Sequence, residues 1–416
     1  MRNDNSIWLE SAGKGFQSRR CLEMLPAKGQ FPAGCGTITA SGWKVPGRVS
    51  SHGGVWKCFQ LRAVSSRMRN DNRRMIIMNY EDVLKEARTC IGDSCKVCNV
   101  CNGAACRNRL PGPGAKGVGD TAIRNYQKWQ EIRVNMDTLH ENVPVDTSLE
   151  LFGKTFRYPF FAGPVGAVSM HYSDKYDDLE YNNVLVDACA RAGIVAFTGD
   201  GRNPKVVEGA AMAITKAGGM GVPTIKPWNL QAIQEKMDLV KKSGAFAAAM
   251  DVDAAGLPFL KDMVPPAGSK TVDELREIIQ MAGVPFIVKG IMTVKGAKKA
   301  EEAGASAIIV SNHGGRVLDQ CPATAEVLPG IVEAVGGRMK VLVDGGIRSG
   351  VDIFKALAVG ADGVLIARPF VTAVYGGGAE GVQCYVEKLG AELADTMAMC
   401  GASALSQITR DMIWKI

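Results

Sequence analysis

The chain has 416 residues, 46% of them hydrophobic, and its glycine-rich, aromatic-poor composition suits a globular protein with one large core or two ordinary ones. Its formal charge of +7 is unevenly spread: residues 1–77 hold 13 Lys and Arg against 4 Asp and Glu, while the other 36 basic and 38 acidic side chains leave the body at −2. That near-neutral body gives no electrostatic case for nucleic acid, and no apolar run of about 18 residues is available to span a membrane.

Residues 1–77 show no sustained helical or strand period and are rich in Gly, Ser, Pro and Arg. The pentapeptide MRNDN occurs at position 1 and again at 68–72. Such composition cannot build a packed core, so a disordered basic extension is expected, with a basic targeting or binding arm as the alternative. No apolar stretch follows the first charges, which argues against a secretory signal and for a cytoplasmic chain. In that setting the twelve cysteines read as reduced thiols or metal ligands, not as a disulfide framework.

The stretch MNYEDVLKEA predicts a helix from Met78 onward, capped by Asn79 with Glu81 and Asp82 in its first turn. It opens a helical and Cys-rich segment, 78–150, expected to pack on the main domain, 151–416. Within it, CIGDSCKVCNVCNGAAC brings Cys90, Cys95, Cys98, Cys101 and Cys106 close together in sequence. Cys95, Cys98 and Cys101 have the spacing of Fe–S or zinc ligands, with Cys106 or Cys90 nearest as the fourth. A loop of reduced thiols or a dithiol switch is the alternative.

From Pro159 onward, short apolar runs alternate with amphipathic stretches. The runs are PFFAGPVG (159–166), IVAFTGD (194–200), VPTIKP (222–227), AFAAAMDVD (245–253), PFIVKG (285–290), AIIVSN (307–312), VLVDGG (341–346) and GVLIAR (363–368). Near-continuous hydrophobicity marks strands covered on both faces, and eight such units over about 250 residues predict an α/β fold, a (β/α)8 TIM barrel. No G-x-G-x-x-G follows the first run, which disfavours a doubly wound sheet. In a barrel the C-terminal strand ends carry the chemistry. They hold Pro164, Val165 and Gly166, Thr198, Lys226, Asp251 and Asp253, Lys289, Ser311 with His313 and Arg316, Asp344, Gly345 and Gly346 with Arg348, and Ala367 with Arg368. The loops after strands seven and eight read as a phosphate cradle, with Arg348 and Arg368 supplying charge. A cation at Lys289 suits the N1–C2=O edge of a flavin.

The segments IVKG, VSNHGGR-x-LD-x2-PAT, VDGGIRSGVDIFKALAVGADGVLIARP and ELADTMAMCGASALSQI resemble the FMN-dependent α-hydroxy acid dehydrogenase family, which includes glycolate and lactate oxidases. The likeness covers about 110–416. It implies FMN, a small L-2-hydroxy acid substrate and a homo-oligomer. It further implies that His313 removes the hydroxyl proton, that Arg316 holds the carboxylate, and that Lys289 and Ser311 contact the flavin. Asp344, Gly345, Gly346, Arg348 and Arg368 match the phosphate segments, and the Pro164–Ala167 backbone matches the part that runs along the ring.

The chain departs from the family pattern in its substrate clamp. Val317 stands where Gln usually follows the arginine. PGPGAKG, PTIKPW and VDAAGLPFL stand where the family has two tyrosines and a second arginine. Lys226 is a candidate replacement. Two other readings remain at this level: another FMN barrel, such as a type 2 isopentenyl diphosphate isomerase, and a flavin-binding barrel without this activity. A chain starting at Met78 is expected to fold, retain flavin and melt like the full chain. Loss of solubility or of flavin on trimming would show that residues 1–77 are structural.

Overall fold

The computed structural model describes residues 78–414 apart from 258, 259, 261, 263, 265 and 266. The basic segment 1–77 lies outside the described residues. Every one of the eight apolar runs contains a strand: β1 (Phe160–Ala162), β2 (Phe197–Thr198), β3 (Val222–Ile225), β4 (Ala248–Asp251), β5 (Phe286–Ile291), β6 (Ala307–Val310), β7 (Lys340–Val343) and β8 (Gly363–Ile366). They are hydrogen-bonded in parallel in the order β1-β8-β7-β6-β5-β4-β3-β2, and a bridge between Ala162 and Ala196 brings the two ends together. The result is the expected barrel. Phe160, Phe161 and Ala162 are wholly buried, as a strand covered on both faces requires.

Local chemistry sets the helices around it. Helix α1 (Tyr80–Cys90) starts where expected, with Asn79 Oδ1 accepting from Asp82 N at 3.0 Å. It buries Val83, Leu84 and Ala87, chiefly against the last helix. Helix α2 (Asp120–Glu131) packs on the His313–Gly315 turn at the barrel mouth. Helix α3 (Val272–Ala282) has a reciprocal capping box between Thr271 and Glu274, worth about 1 kcal/mol, and ends at Gly283 with φ +66°. Helix α4 (Arg368–Met399) breaks at Gly378, and a Cβ at Gly376 would sit 2.0 Å from the Val83 carbonyl, so glycine is what permits the close crossing with α1. Among the described residues no helix is long and apolar enough to cross a membrane.

One tertiary contact replaces a missing local cap. Gly119, at the N-cap of α2, has no side chain, yet Asp319 accepts from the amides of Val118 (2.7 Å), Gly119 (3.2 Å) and Thr121 (3.2 Å). Burial pushes the Asp319 carboxyl up, but these donors outweigh it and hold it below its ordinary value of 3.8. A depressed folded value means that the stabilisation is present at neutral pH and is lost as pH falls through it. Asp319→Ala should therefore lower stability by about 0.5–2 kcal/mol at pH 7. The deficit should shrink below about pH 4. Urea unfolding at the two pH values checks both.

Candidate active site

The barrel mouth is organised by buried charges at the strand ends. Asp251 closes β4, Asp253 follows in a 3-10 turn, and Lys289 lies in β5 just before an irregularity in its pairing with β6. Gly290, at that irregularity, has φ +102°, and a Cβ there would come within 2.5 Å of Asp253 Cγ. Glycine is thus required for β5 to pass the carboxylate. Lys226 Nζ lies 3.3 Å from Asp251, and Lys289 Nζ lies 3.7 Å from Asp344. Burial alone would drive the Lys289 ammonium toward neutrality, but Asp253, Asp344 and Asp251 outweigh it and raise its pKa above the ordinary value. Asp253 is the converse: burial pushes its carboxyl up, while Lys289, His313 and Lys226 pull it down.

His313 joins this cluster through Nδ1, 3.0 Å from Asp253 Oδ1. Its own φ is +55°, followed by Gly314 and Gly315 at +61° and +79°, so the SNHGGR loop is a left-handed turn. A carboxylate beside Nδ1 fixes the neutral tautomer with the proton there, leaving Nε2 bare. Nε2 lies 4.0 Å from Asp251, beyond hydrogen-bond distance. Burial and Lys289 lower the imidazole pKa below 6.5, more than Asp253 and Asp251 raise it. At neutral pH this is a base ready to take a proton. Asp251, Asp253 and His313 also bring ligand atoms within 4.8 Å of one another, but Lys226 and Lys289 already balance the two carboxylates.

Arg316 and His171 stand together in the cavity wall, with Nη2 and Nε2 3.3 Å apart. His171 Nδ1 accepts from the Gly112 amide at 3.0 Å. Burial, Arg316 and Lys226 depress its pKa to about 4, so the ring is neutral at pH 7 with its proton on Nε2. Two donors therefore face each other without an acceptor between them. Arg316 Nη1 donates to the Gly112 and Gly114 carbonyls at 2.6 and 2.9 Å, and burial lowers the guanidinium pKa to about 10. His171 was not singled out from sequence. Its signals were its rarity, as one of four histidines, and its place just after the first strand's loop. Tyr172 beside it also lines the cavity, supplying a tyrosine from a place the family pattern does not indicate.

The cavity measures about 750 Å³. Pro164, Val165 and Gly166 line it, as do Lys289, His313 and Arg316, together with Asp344, Gly345, Gly346, Arg348, Ala367 and Arg368. Two expected residues stand behind the wall. Ser311 is fully buried and its Oγ accepts from the His313 amide at 3.1 Å, while Thr198 is buried in β2 with no partner for Oγ1. Gly345 and Gly346 also serve packing, since a Cβ at Gly346 would lie 2.3 Å from the Asn125 carbonyl of α2. Arg368 donates to the Gly314 carbonyl at 2.9 Å. The head of Arg348 turns to the cysteine loop, with Nε 2.6 Å from the Cys101 carbonyl.

The four cysteines expected as ligands, Cys95, Cys98, Cys101 and Cys106, line a second cavity on the far side of Arg348 and Arg368. A mononuclear zinc site is not formed there. Tetrahedral zinc, with Zn–S near 2.3 Å, places its thiolates about 3.8 Å apart. Among the described residues, the set of three or more candidate ligand atoms within 4.8 Å is Asp251, Asp253 and His313, not the cysteines. Burial pushes the Cys95 thiol up to about 11 and raises Cys98 and Cys106 as well, which does not suit a reactive dithiol.

A family profile described as FMN-dependent dehydrogenase matches residues 112–259 and 229–415. A 2-hydroxyacid oxidase of Dictyostelium discoideum is 44% identical over 156 residues, which is 38% of this chain and 40% of that protein. An L-lactate oxidase of Roseobacter sp. (strain GAI101) is 46% identical over 143 residues, 34% of this chain and 39% of its own length. The chain thus matches about two fifths of the length of these relatives. A solved structure of mandelate oxidase with (S)-2-phenylpropionate superposes with a TM-score of 0.63 at 27% identity, covering 80% of this chain and 97% of that one. With the profile matching most of the barrel and its mouth, the chain belongs to the FMN-dependent dehydrogenase family.

Proposed function

We propose that the protein catalyses the FMN-dependent oxidation of a small 2-hydroxy acid to the corresponding 2-oxo acid. The observation that carries this reading is His313: its Nδ1 is held by Asp253, and its bare Nε2 shares a cavity with Lys289 and Arg316. The residues present fit FMN. Lys289 offers a buried cation at the mouth, Pro164 to Gly166 offer a backbone wall, and Gly345, Gly346 and Arg368 suit the phosphate. Buried polar atoms without protein partners, Thr224 Oγ1 and Asp344 Oδ1, belong to residues of the same wall. When bound, FMN supplies the two-electron oxidant for the α-carbon.

The chain's own residues then do three things. Arg316 and the Nε2–H of His171 are adjacent donors in the cavity wall, and a carboxylate accepting from both on the cavity side offsets their donor-to-donor contact. That anchoring would hold the α-carbon in one orientation. His313 Nε2 accepts the hydroxyl proton, and Asp253 stabilises the imidazolium that results. Lys226 is paired with Asp251 and lines the same cavity, so it adds positive charge beside the base and the substrate site. The names of the matching relatives, 2-hydroxyacid, L-lactate and mandelate oxidases, support the substrate class.

Anaerobic mixing of the flavin-loaded protein with a panel of 2-hydroxy acids should bleach the flavin with at least one of them; no bleaching with any would refute the activity. His313→Gln should keep fold and flavin while slowing bleaching by roughly 10²–10⁴. Arg316→Lys should act mainly on substrate affinity, because a point charge cannot reproduce the guanidinium fork. Melting curves recorded alongside separate these effects from misfolding.

The acid limb of the pH profile should lie below 6.5, because the His313 pKa is lowered. Asp253 raises that pKa, so Asp253→Asn should move the limb to lower pH and also reduce the rate. Profiles of kcat/KM for the two proteins check the direction; an unmoved limb would dissociate Asp253 from the base.

A further inference from the structure

The second cavity has a volume of about 560 Å³ and lies outside the substrate site, though Arg348 and Arg368 belong to both linings. We propose that Cys95, Cys98, Cys101 and Cys106 bind a 4Fe–4S cluster in it. All four line it, and none is in a disulfide. The spacing that excludes a single zinc ion leaves room for a larger centre. In a cuboidal cluster each cysteine takes a different iron, so the four sulfurs stand well apart with inorganic sulfur and iron between them.

The structure also chooses the fourth ligand, which spacing alone leaves open between Cys90 and Cys106. Cys90 is absent from the lining; its Sγ lies 3.1 Å from the Tyr375 carbonyl and 3.3 Å from Lys175 Nζ. Cys106 is buried and in the lining.

Charge supports the assignment. Each cysteine enters as a thiolate and releases its proton on assembly, and four thiolates on an oxidised core leave a dianionic cluster. Six lysines and arginines, Arg88, Lys96, Arg348 and Arg368 among them, face the cavity against Glu81 and Asp352. The guanidinium groups of Arg88, Arg348 and Arg368 have no carboxylate within 4.0 Å among the described residues. Instead, Arg88 pins the loop through the Val97 carbonyl (2.9 Å) and Asn99 Oδ1 (2.6 Å), and Arg348 Nη2 comes to 3.9 Å from Cys101 Sγ. Guanidinium groups thus hold the loop and supply positive charge where a buried anion needs it. Val97 and Gly103, with φ +43° and +84°, give the segment the tight turns of a ligand loop.

The test uses the full chain, prepared anaerobically and reconstituted with ferrous iron and sulfide. Iron and acid-labile sulfide should reach about four each per chain, with an electron paramagnetic resonance signal after dithionite reduction. Cys98→Ser and Cys106→Ser should lose most of the iron while keeping flavin and melting behaviour, and Cys90→Ser should keep both iron and flavin. Less than about one iron per wild-type chain, zinc in place of iron, or full iron in Cys106→Ser would each overturn the proposal. Iron, sulfide and resonance are read without substrate, so failure here is distinguishable from failure of the oxidation proposal.

Discussion

The structure depends on keeping ions out of water at the barrel mouth. Asp251, Asp253, Asp344, Lys226, Lys289 and His313 occupy one small volume, and Asp251 and Lys289 are only 4% and 3% exposed. Each buried charge costs several kcal/mol in isolation and is tolerable only with partners at short range. The strands must therefore end in register, so that β4 presents Asp251 opposite Lys289 of β5. A one-residue slip would leave an unpaired charge in the core. The same arrangement makes the site chemically useful, because it holds a lysine cationic and an imidazole neutral in one cavity.

The loops above the strands are held from outside the barrel. Asn125 of α2 and Asn312 exchange side-chain hydrogen bonds at 2.7 and 2.9 Å, Trp129 donates to the Gly345 carbonyl at 2.8 Å, and Asp319 caps α2. These bonds cross about 200 residues of sequence and tie the histidine loop to the loop after β7. Loops that carry catalytic groups need such bracing, because a strand end alone does not determine a side chain's direction. The left-handed backbone at His313 is tolerable because its neighbours on both sides are fixed.

A second consequence concerns Arg348. Read from the sequence as a phosphate ligand, it lines the main cavity but spends its donors on Cys101 and Ile347 carbonyls. Arg368 shares its position between the two cavities and donates to the histidine loop. The two linings share Pro113, Tyr172, Arg348 and Arg368, so the wall between them carries two cations, which suit an anion on either side.

Much of this was legible in the sequence. Eight apolar runs with turn and cap residues between them determined eight strands and the barrel, because burial on both faces leaves a continuous hydrophobic signature that polar loops interrupt. His313, Arg316 and Lys289 were visible as polar residues where such runs end. Local spacing could also nominate four cysteines. It could not decide between Cys90 and Cys106, since that turns on which way α1 points one thiol. Nor could it assign Asp253 to His313, 60 residues away, or bring His171 against Arg316, 145 residues away. Those pairings exist only after the sheet closes. Sequence period specifies which face of an element is buried, whereas which polar groups meet depends on register and loop bracing summed over the whole barrel.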